Sequence, residues 1–65
     1  MDFRHAWFEL INGKKIRLPY MDGYWEWDHN TIMINTGDGE VYDIRKENAI
    51  YIFSHIADTN WEIVE

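Results

Sequence analysis

The chain contains no cysteine, and this absence limits how so short a protein can stabilise itself. Disulfide bonds, a cysteine nucleophile and zinc–thiolate sites are all excluded. A domain of 65 residues buries only about 60% of the surface that its unfolded chain exposes. Because a core of this size is marginal, we expect aromatic packing and self-association into a homo-oligomer to supplement it.

Long apolar runs and a broad positive charge are also missing. Asp2, Arg4 and His5 interrupt the N-terminal segment, and no run approaches the length needed to cross a membrane. Six lysines and arginines stand against twelve acids, giving a formal net charge of −6. A protein that coats long nucleic acid needs a broad basic surface. We therefore expect a soluble, intracellular protein that binds neither a membrane nor long nucleic acid.

Recognisable catalytic and metal-binding motifs are absent as well. His5, His29 and His55 lie far apart without zinc-ligand spacing, and Ser54, the only serine, has no G-x-S-x-G context. The sequence has no glycine-rich phosphate loop, and residues 37–40 lack the alternating acids of a calcium loop. The sequence therefore predicts a binding protein that is not an enzyme and has no cofactor or metal.

Hydrophobic periodicity predicts an α+β fold in one domain, residues 1–65, with one N-terminal helix packed on a twisted antiparallel sheet. The helix should begin after Asp2 as its N-cap and end at Asn12 and Gly13. Its apolar stripe, at positions i, i+3, i+4 and i+7, consists of Phe3, Ala6, Trp7 and Leu10. We expect these four residues, including Trp7, to belong to the core.

Alternation and turn residues then predict strands at 15–18, 24–28, 31–35, 41–44 and 61–64, with a hairpin at 37–39. The wholly apolar run 49–53 predicts a central strand covered on both faces. The polar stretch 54–60 predicts at most one helical turn.

The segment from residue 14 to residue 27 combines rings with cations. Trp25 and Trp27 alternate along one predicted strand, so their indoles should share a face. Burial statistics favour a place in the core for both, and a stacking platform for a base is the alternative. Lys14, Lys15 and Arg17 are half of the chain's cations and could meet phosphates, although a solvated edge strand is the plainer explanation.

Several motifs in order along the chain resemble the second Thoeris anti-defence family. Residues 3–16 follow the pattern F-x-x-A-x-x-x-L-x-x-G-K-K-I of its opening helix and strand, and residues 61–65 resemble its closing segment. Residues 36–39 are similar to its T-x-D-G hairpin, and residues 56–57 stand where it has a Met-Leu or Leu-Ala pair. The resemblance spans nearly the whole chain.

This resemblance implies a phage protein of the host cytoplasm that sequesters a cyclic nucleotide immune signal without cleaving it. Such a signal would be of the cyclic ADP-ribose type or a cyclic dinucleotide. Family members are oligomeric and often carry Trp-Asn-Gly after the first strand, where this chain has Met21, Asp22 and Gly23. The complete set of expected ligand-binding residues is Lys14, Lys15, Arg17, Met21, Asp22, Tyr24, Trp25, Trp27 and Asn60.

A protein-binding inhibitor is the alternative function. An acidic, aromatic-rich chain can occupy a basic groove on a host nuclease or defence protein, and a net charge of −6 is enough to steer that association. Such an inhibitor needs no small-molecule pocket.

Overall fold

The computed structural model describes all 65 residues and contains two helices and a five-stranded antiparallel sheet. The elements, in chain order, are α1 (Phe3–Ile11), β1 (Lys15–Arg17), β2 (Tyr24–Asp28), β3 (Thr31–Asn35), β4 (Val41–Asp43), a 3₁₀ turn (Ile44–Lys46), α2 (Ala49–Ile56) and β5 (Glu62–Val64). The predicted α+β class, with an N-terminal helix on an antiparallel sheet, is confirmed.

Local sequence explains where α1 begins and ends. The Asp2 side chain accepts a hydrogen bond from the backbone N–H of His5 at 3.0 Å, as an N-cap residue should. Asn12 caps the C-terminal end, and Gly13 follows it with a φ of 95°. Both predicted ends of the first helix are therefore confirmed.

The strands are ordered β4-β3-β2-β1-β5, so β1, β2 and β3 lie inside the sheet while β4 and β5 form its edges. The interpretation of the lysine-rich segment before Pro19 as a solvated edge strand is therefore wrong, because β1 pairs with β2 on one side and with β5 on the other. Ile16 of β1 lies opposite Trp25 of β2, and Trp25 in turn lies opposite Ile34 of β3. Because directly opposed residues share a face, these three side chains form an apolar row across the sheet. The row is fully buried.

Both helices lie on this apolar face. Phe3 of α1 packs edge-on to Trp25 with ring centres 6.1 Å apart, and His55 of α2 lies 6.0 Å from the same indole. Trp61, just before β5, packs 4.7 Å from Trp25 and donates its indole N–H to the carbonyl of His55. The buried apolar core consists of Ala6, Leu10, Ile16, Leu18, Trp25, Ile32, Ile34 and Trp61.

The prediction of a central strand at 49–53 is wrong, because these residues begin helix α2, which also includes part of the polar stretch after them. A short apolar run is compatible with either a buried strand or a helix. The side chain of Asn48 decides between them, since its Oδ1 accepts a hydrogen bond from the backbone N–H of Tyr51 at 2.8 Å. This N-cap stabilises the helical first turn.

Candidate functional site

A cleft of about 200 Å³ lies between the loop that precedes β2, the end of β3 and helix α2. It is smaller than the range of about 300–1,000 Å³ that is typical of complete small-molecule sites, so it suits one ring system of a larger ligand. The cleft is lined by Met21, Asp22, Gly23, Trp25, Ile34, Asn35, Thr36, Tyr51 and His55. Three of the nine residues expected from the sequence, Met21, Asp22 and Trp25, therefore meet there.

The loop that carries Met21 and Asp22 is held tightly against β3. A side chain at Gly23 would overlap the carbonyl group of Asn35, so only glycine permits this approach of the two backbones. The sulfur of Met21 lies 3.4 Å from the backbone nitrogen of Leu18 and accepts its hydrogen bond. These contacts place Asp22, whose side chain is exposed, at the rim of the cleft.

Trp25, one of the lining residues, carries a buried polar atom without a partner. The residue is only 1% exposed, and its indole Nε1 has no hydrogen-bond acceptor within the protein. The Tyr51 hydroxyl is a potential acceptor, because the indole N–H lowers the Tyr51 pKa as a hydrogen-bond donor does, but the two groups do not meet hydrogen-bond geometry in this structure. A buried donor without an acceptor costs about 1–3 kcal/mol, so such an atom in a native fold requires an explanation.

Helix α2 supplies an aromatic wall opposite Trp25. The rings of Tyr51 and His55 lie 4.2 Å apart, and His55 Nδ1 lies 2.7 Å from the carbonyl oxygen of Tyr51. Because a carbonyl oxygen only accepts, Nδ1 is the donor, and Nε2 of a neutral His55 is then an acceptor. Two residues that line the cleft thus differ in hydrogen-bonding role: Trp25 carries an N–H donor, and a neutral His55 offers Nε2 as an acceptor.

Burial raises the pKa of the Tyr51 hydroxyl, and the charge of Glu47 and the nearby Tyr20 act in the same direction. The Trp25 indole N–H, acting as a donor towards the hydroxyl, lowers the Tyr51 pKa and so opposes this increase. Tyr51 is therefore a neutral hydroxyl at physiological pH, able both to donate and to accept a hydrogen bond.

The expected combination of rings and cations does not form around Trp25. Since Ile16 shares a face with Trp25, its neighbours Lys15 and Arg17 lie on the other face of the sheet, which no helix covers. There Lys15 Nζ lies 4.6 Å from the ring centre of Tyr24, and Arg17 lies 3.7 Å from the carboxylate of Glu62. The structure therefore corrects the expectation that these two cations sit beside the tryptophans.

The other expected residues also lie outside the cleft. Trp27 shares the face of Trp25, as predicted, but packs edge-on against Trp7 with ring centres 5.1 Å apart. Trp7 lies at the margin of the core and is 37% exposed, which corrects its expected burial. Lys14 is exposed in the turn after α1, and Asn60 is exposed in a turn closed by its backbone N–H and the Asp58 carboxylate.

The expected ligand-binding set lacked six residues of the cleft: Gly23, Ile34, Asn35, Thr36, Tyr51 and His55. Tyr51 and His55 are four positions apart, which places them on the same side of a helix. The predicted strand ended at residue 53 and therefore did not include His55. The Asn48 cap was the available signal. With a helix predicted from residue 49, these two rings would have been grouped.

No group of three or more histidine, aspartate or glutamate side chains is placed to hold a metal ion. Neither helix has the length and apolar character needed to cross a membrane. A wider, open depression of about 760 Å³ runs along the exposed side of α1 and is lined only by residues from the first eleven positions, including Trp7, Phe8 and Ile11.

No protein-family model, curated protein or solved structure matches this chain. The likeness to the second Thoeris anti-defence family accordingly stays a prediction from the residues quoted above.

Proposed function

We propose that the protein is a phage anti-defence protein that sequesters a cyclic nucleotide immune signal, holding one base in the cleft between α2 and the β2–β3 pair. The observation that carries this proposal is the buried, unpartnered indole N–H of Trp25 at an aromatic cleft. Because this N–H is closed to solvent in the free protein, binding must open the cleft around it; an acceptor atom on the bound base then completes the hydrogen bond, and the rings of Tyr51 and His55 supply apolar contact.

The size and charge of the cleft favour the base and ribose over the phosphates. A volume of about 200 Å³ suits a base, whereas the sugar and phosphate groups extend towards solvent. Asp22 at the rim can accept hydrogen bonds from ribose hydroxyls but repels phosphates. In this proposal the signal is held without being cleaved, and the protein acts as a homo-oligomeric binding protein in the host cytoplasm.

Calorimetric titration with cyclic ADP-ribose and with a cyclic dinucleotide tests this proposal. Trp25→Phe keeps an aromatic ring but loses the N–H, and we expect it to weaken binding of the recognised probe about 2- to 10-fold. Asp22→Asn removes a charged acceptor and should weaken binding about tenfold or more. Glu40→Gln is the matched control, since it removes a carboxylate whose side chain makes no hydrogen bond or ion pair and lies outside the cleft. Unchanged affinity in both cleft variants contradicts the proposal.

Direct inhibition of a host defence protein or nuclease is the second candidate function. The exposed side of α1 favours it, because Phe8 is 63% exposed and Ile11 is 44% exposed on a chain of net charge −6. Exposed apolar groups on an acidic surface fit a groove with a basic rim. A complex that forms without any nucleotide, with an association rate that falls steeply as salt increases, would support this function. Loss of that complex in Phe8→Glu, with retained binding in Phe53→Glu, would locate the contact on α1.

A further inference from the structure

The cleft is closed over the atom to which a ligand should bind. Nε1 of Trp25 is buried without a hydrogen-bond partner, and Tyr51, which also lines the cleft, lies against this indole. A ligand can therefore reach this N–H only after one wall of the cleft has moved. The walls are formed by the loop that precedes β2, the end of β3 and helix α2.

Two of these three walls are fixed. The loop approaches β3 so closely that a side chain at Gly23 would overlap the carbonyl group of Asn35. Strand β3 is paired along both of its sides, with β2 and with β4. Movement of either wall would therefore break the hydrogen bonds of the sheet or force two backbones through each other.

Helix α2 is held less firmly, and only at one end. None of its residues is fully buried. At its C-terminal end the Trp61 indole N–H donates to the carbonyl oxygen of His55 at 3.1 Å, and Trp61 is a core residue. At its N-terminal end Ile50 is 83% exposed, and Asn48 accepts hydrogen bonds only from backbone N–H groups of the helix itself. Elements with few buried contacts are the ones that open locally at low cost.

The chain that leads into α2 can act as a joint. Glu47 and Asn48 are both extended, with ψ of 156° and 157°, between the 3₁₀ turn and the helix. Their hydrogen bonds join them only to Ile44, Tyr51 and Ile52, so neither residue is bonded to a strand. Because Ile44 packs against the core, the 3₁₀ turn can stay in place while the helix after it moves.

We propose that α2 is a lid on the cleft, and that its N-terminal half tilts away from the sheet about the hydrogen bond between Trp61 and His55. Tyr51 is the gate of this lid, because it lies one helical turn from the pivot and against the Trp25 indole. Four residues of helix are about 6 Å long, so a tilt of about 30° moves Tyr51 by about 3 Å. That displacement admits one acceptor atom at hydrogen-bond distance from Nε1. The lid regulates entry of the base, so its purpose rests on the proposed function, but the opening itself needs no nucleotide.

Hydrogen exchange of the indole protons, followed by NMR in the ligand-free protein, tests the lid. The Trp25 and Trp61 side chains form a matched pair within one molecule, because both residues are 1% exposed. We expect the Trp25 proton, identified by its absence in Trp25→Phe, to exchange at least about tenfold faster than the Trp61 proton. Low concentrations of urea should leave the Trp25 rate unchanged, as for a local opening, and should accelerate Trp61 exchange, as for global unfolding. Equal rates, or a Trp25 rate that follows global unfolding, overturn the proposal.

A substitution at the gate separates opening of the lid from the mere lack of a hydrogen bond at Nε1. Tyr51→Ala removes the gate and should accelerate Trp25 exchange about tenfold or more, while the Trp61 proton stays slow. Tyr42→Ala is the matched control, because Tyr42 is a partly exposed tyrosine on β4 that does not line the cleft. Unchanged Trp25 exchange in Tyr51→Ala contradicts the gate. If this variant fails to fold, the comparison of the two indoles in the intact chain decides the question.

Addition of cyclic ADP-ribose or a cyclic dinucleotide distinguishes this inference from the proposed function. A base bound in the cleft should slow the exchange of the Trp25 proton. Fast local exchange that neither nucleotide alters supports the lid and contradicts the capture of these ligands. Exchange that is equally slow for Trp25 and Trp61 without nucleotide contradicts the lid, whether or not a nucleotide binds.

Discussion

Lys15 Nζ lies 4.6 Å from the ring centre of Tyr24, on the sheet face opposite Trp25. The chain therefore does pair a cation with a ring, but away from the cleft that α2 borders. This separation follows from the register of β1 and β2, because the pairing of Ile16 with Trp25 turns Lys15 to the other face.

Removal of the strand cations should therefore leave ligand capture intact. The double variant Lys15→Ala with Arg17→Ala alters only the open face, where an exposed Arg17–Glu62 pair contributes at most about 1 kcal/mol to folding. Calorimetric titration with the probe that the intact protein binds should give the same affinity. A tenfold or greater loss would mean that phosphate contacts by these cations hold the ligand.

Substitution of Gly23 should be the most damaging single-methyl change near the cleft. Gly23→Ala forces its Cβ into the Asn35 carbonyl, and we expect the free energy of unfolding to fall by about 3 kcal/mol or more. Gly39→Ala is the control, since its Cβ meets no neighbouring atom and only its positive φ opposes the substitution, at about 1–2 kcal/mol. Urea denaturation measures both, and equal losses would contradict the close approach of the two backbones.

The Asn48 cap should matter more than its exposed position indicates. Asn48→Ala removes the acceptor for the Tyr51 backbone N–H and should lower the free energy of unfolding by about 1 kcal/mol. It should also weaken ligand capture, because Tyr51 and His55 lie on the helix that this cap begins. Asn60→Ala, which removes an exposed amide without a side-chain hydrogen bond, should change neither quantity.

Acid should destabilise the fold in part through Asp43. Hydrogen bonds from the Arg45 guanidinium, and then from the Arg45 backbone N–H, hold the pKa of the Asp43 carboxyl well below its usual value. Since the folded-state pKa is lowered, this stabilisation is present above the ordinary aspartate pKa of about 3.9 and is lost as the pH falls below it. Asp43→Asn should therefore lower the free energy of unfolding at neutral pH and make its acid dependence shallower.

Unfolding measured at a series of pH values between neutrality and strong acid checks this linkage. Glu40→Gln, which leaves the Asp43–Arg45 contacts in place, should keep the full acid dependence. An unchanged slope in Asp43→Asn would show that the ion pair does not contribute.

Periodicity was sufficient to predict α1, the strands of the sheet and the shared face of Trp25 and Trp27. Each of these depends on local spacing that repeats along one element. The prediction failed at residue 49, where β-branched and aromatic residues favour a strand but the Asn48 side chain caps a helix. Local propensity and capping compete there, and the cap prevails.

Most of the cleft depends on relationships that local spacing does not contain. Met21 and Asp22 were identified from the resemblance, whereas Tyr51 and His55 reach Trp25 only because α2 folds back against the apolar side of the sheet beside this indole. The register of β1 against β2, which separates Lys15 from Trp25, is likewise a tertiary property. The sequence therefore predicted the ring that the cleft is built around but not the partners of that ring.

Mass spectrometry of nucleotides released from the protein tests the central claim most directly. The purified protein would be incubated with nucleotides extracted from infected, defence-active cells, then washed and heat-denatured. The account predicts an intact cyclic nucleotide in the material released from the wild-type chain and less of it from Trp25→Phe and Asp22→Asn. Release of no nucleotide, with the signal free and unaltered in the flow-through, would contradict sequestration and favour a protein target.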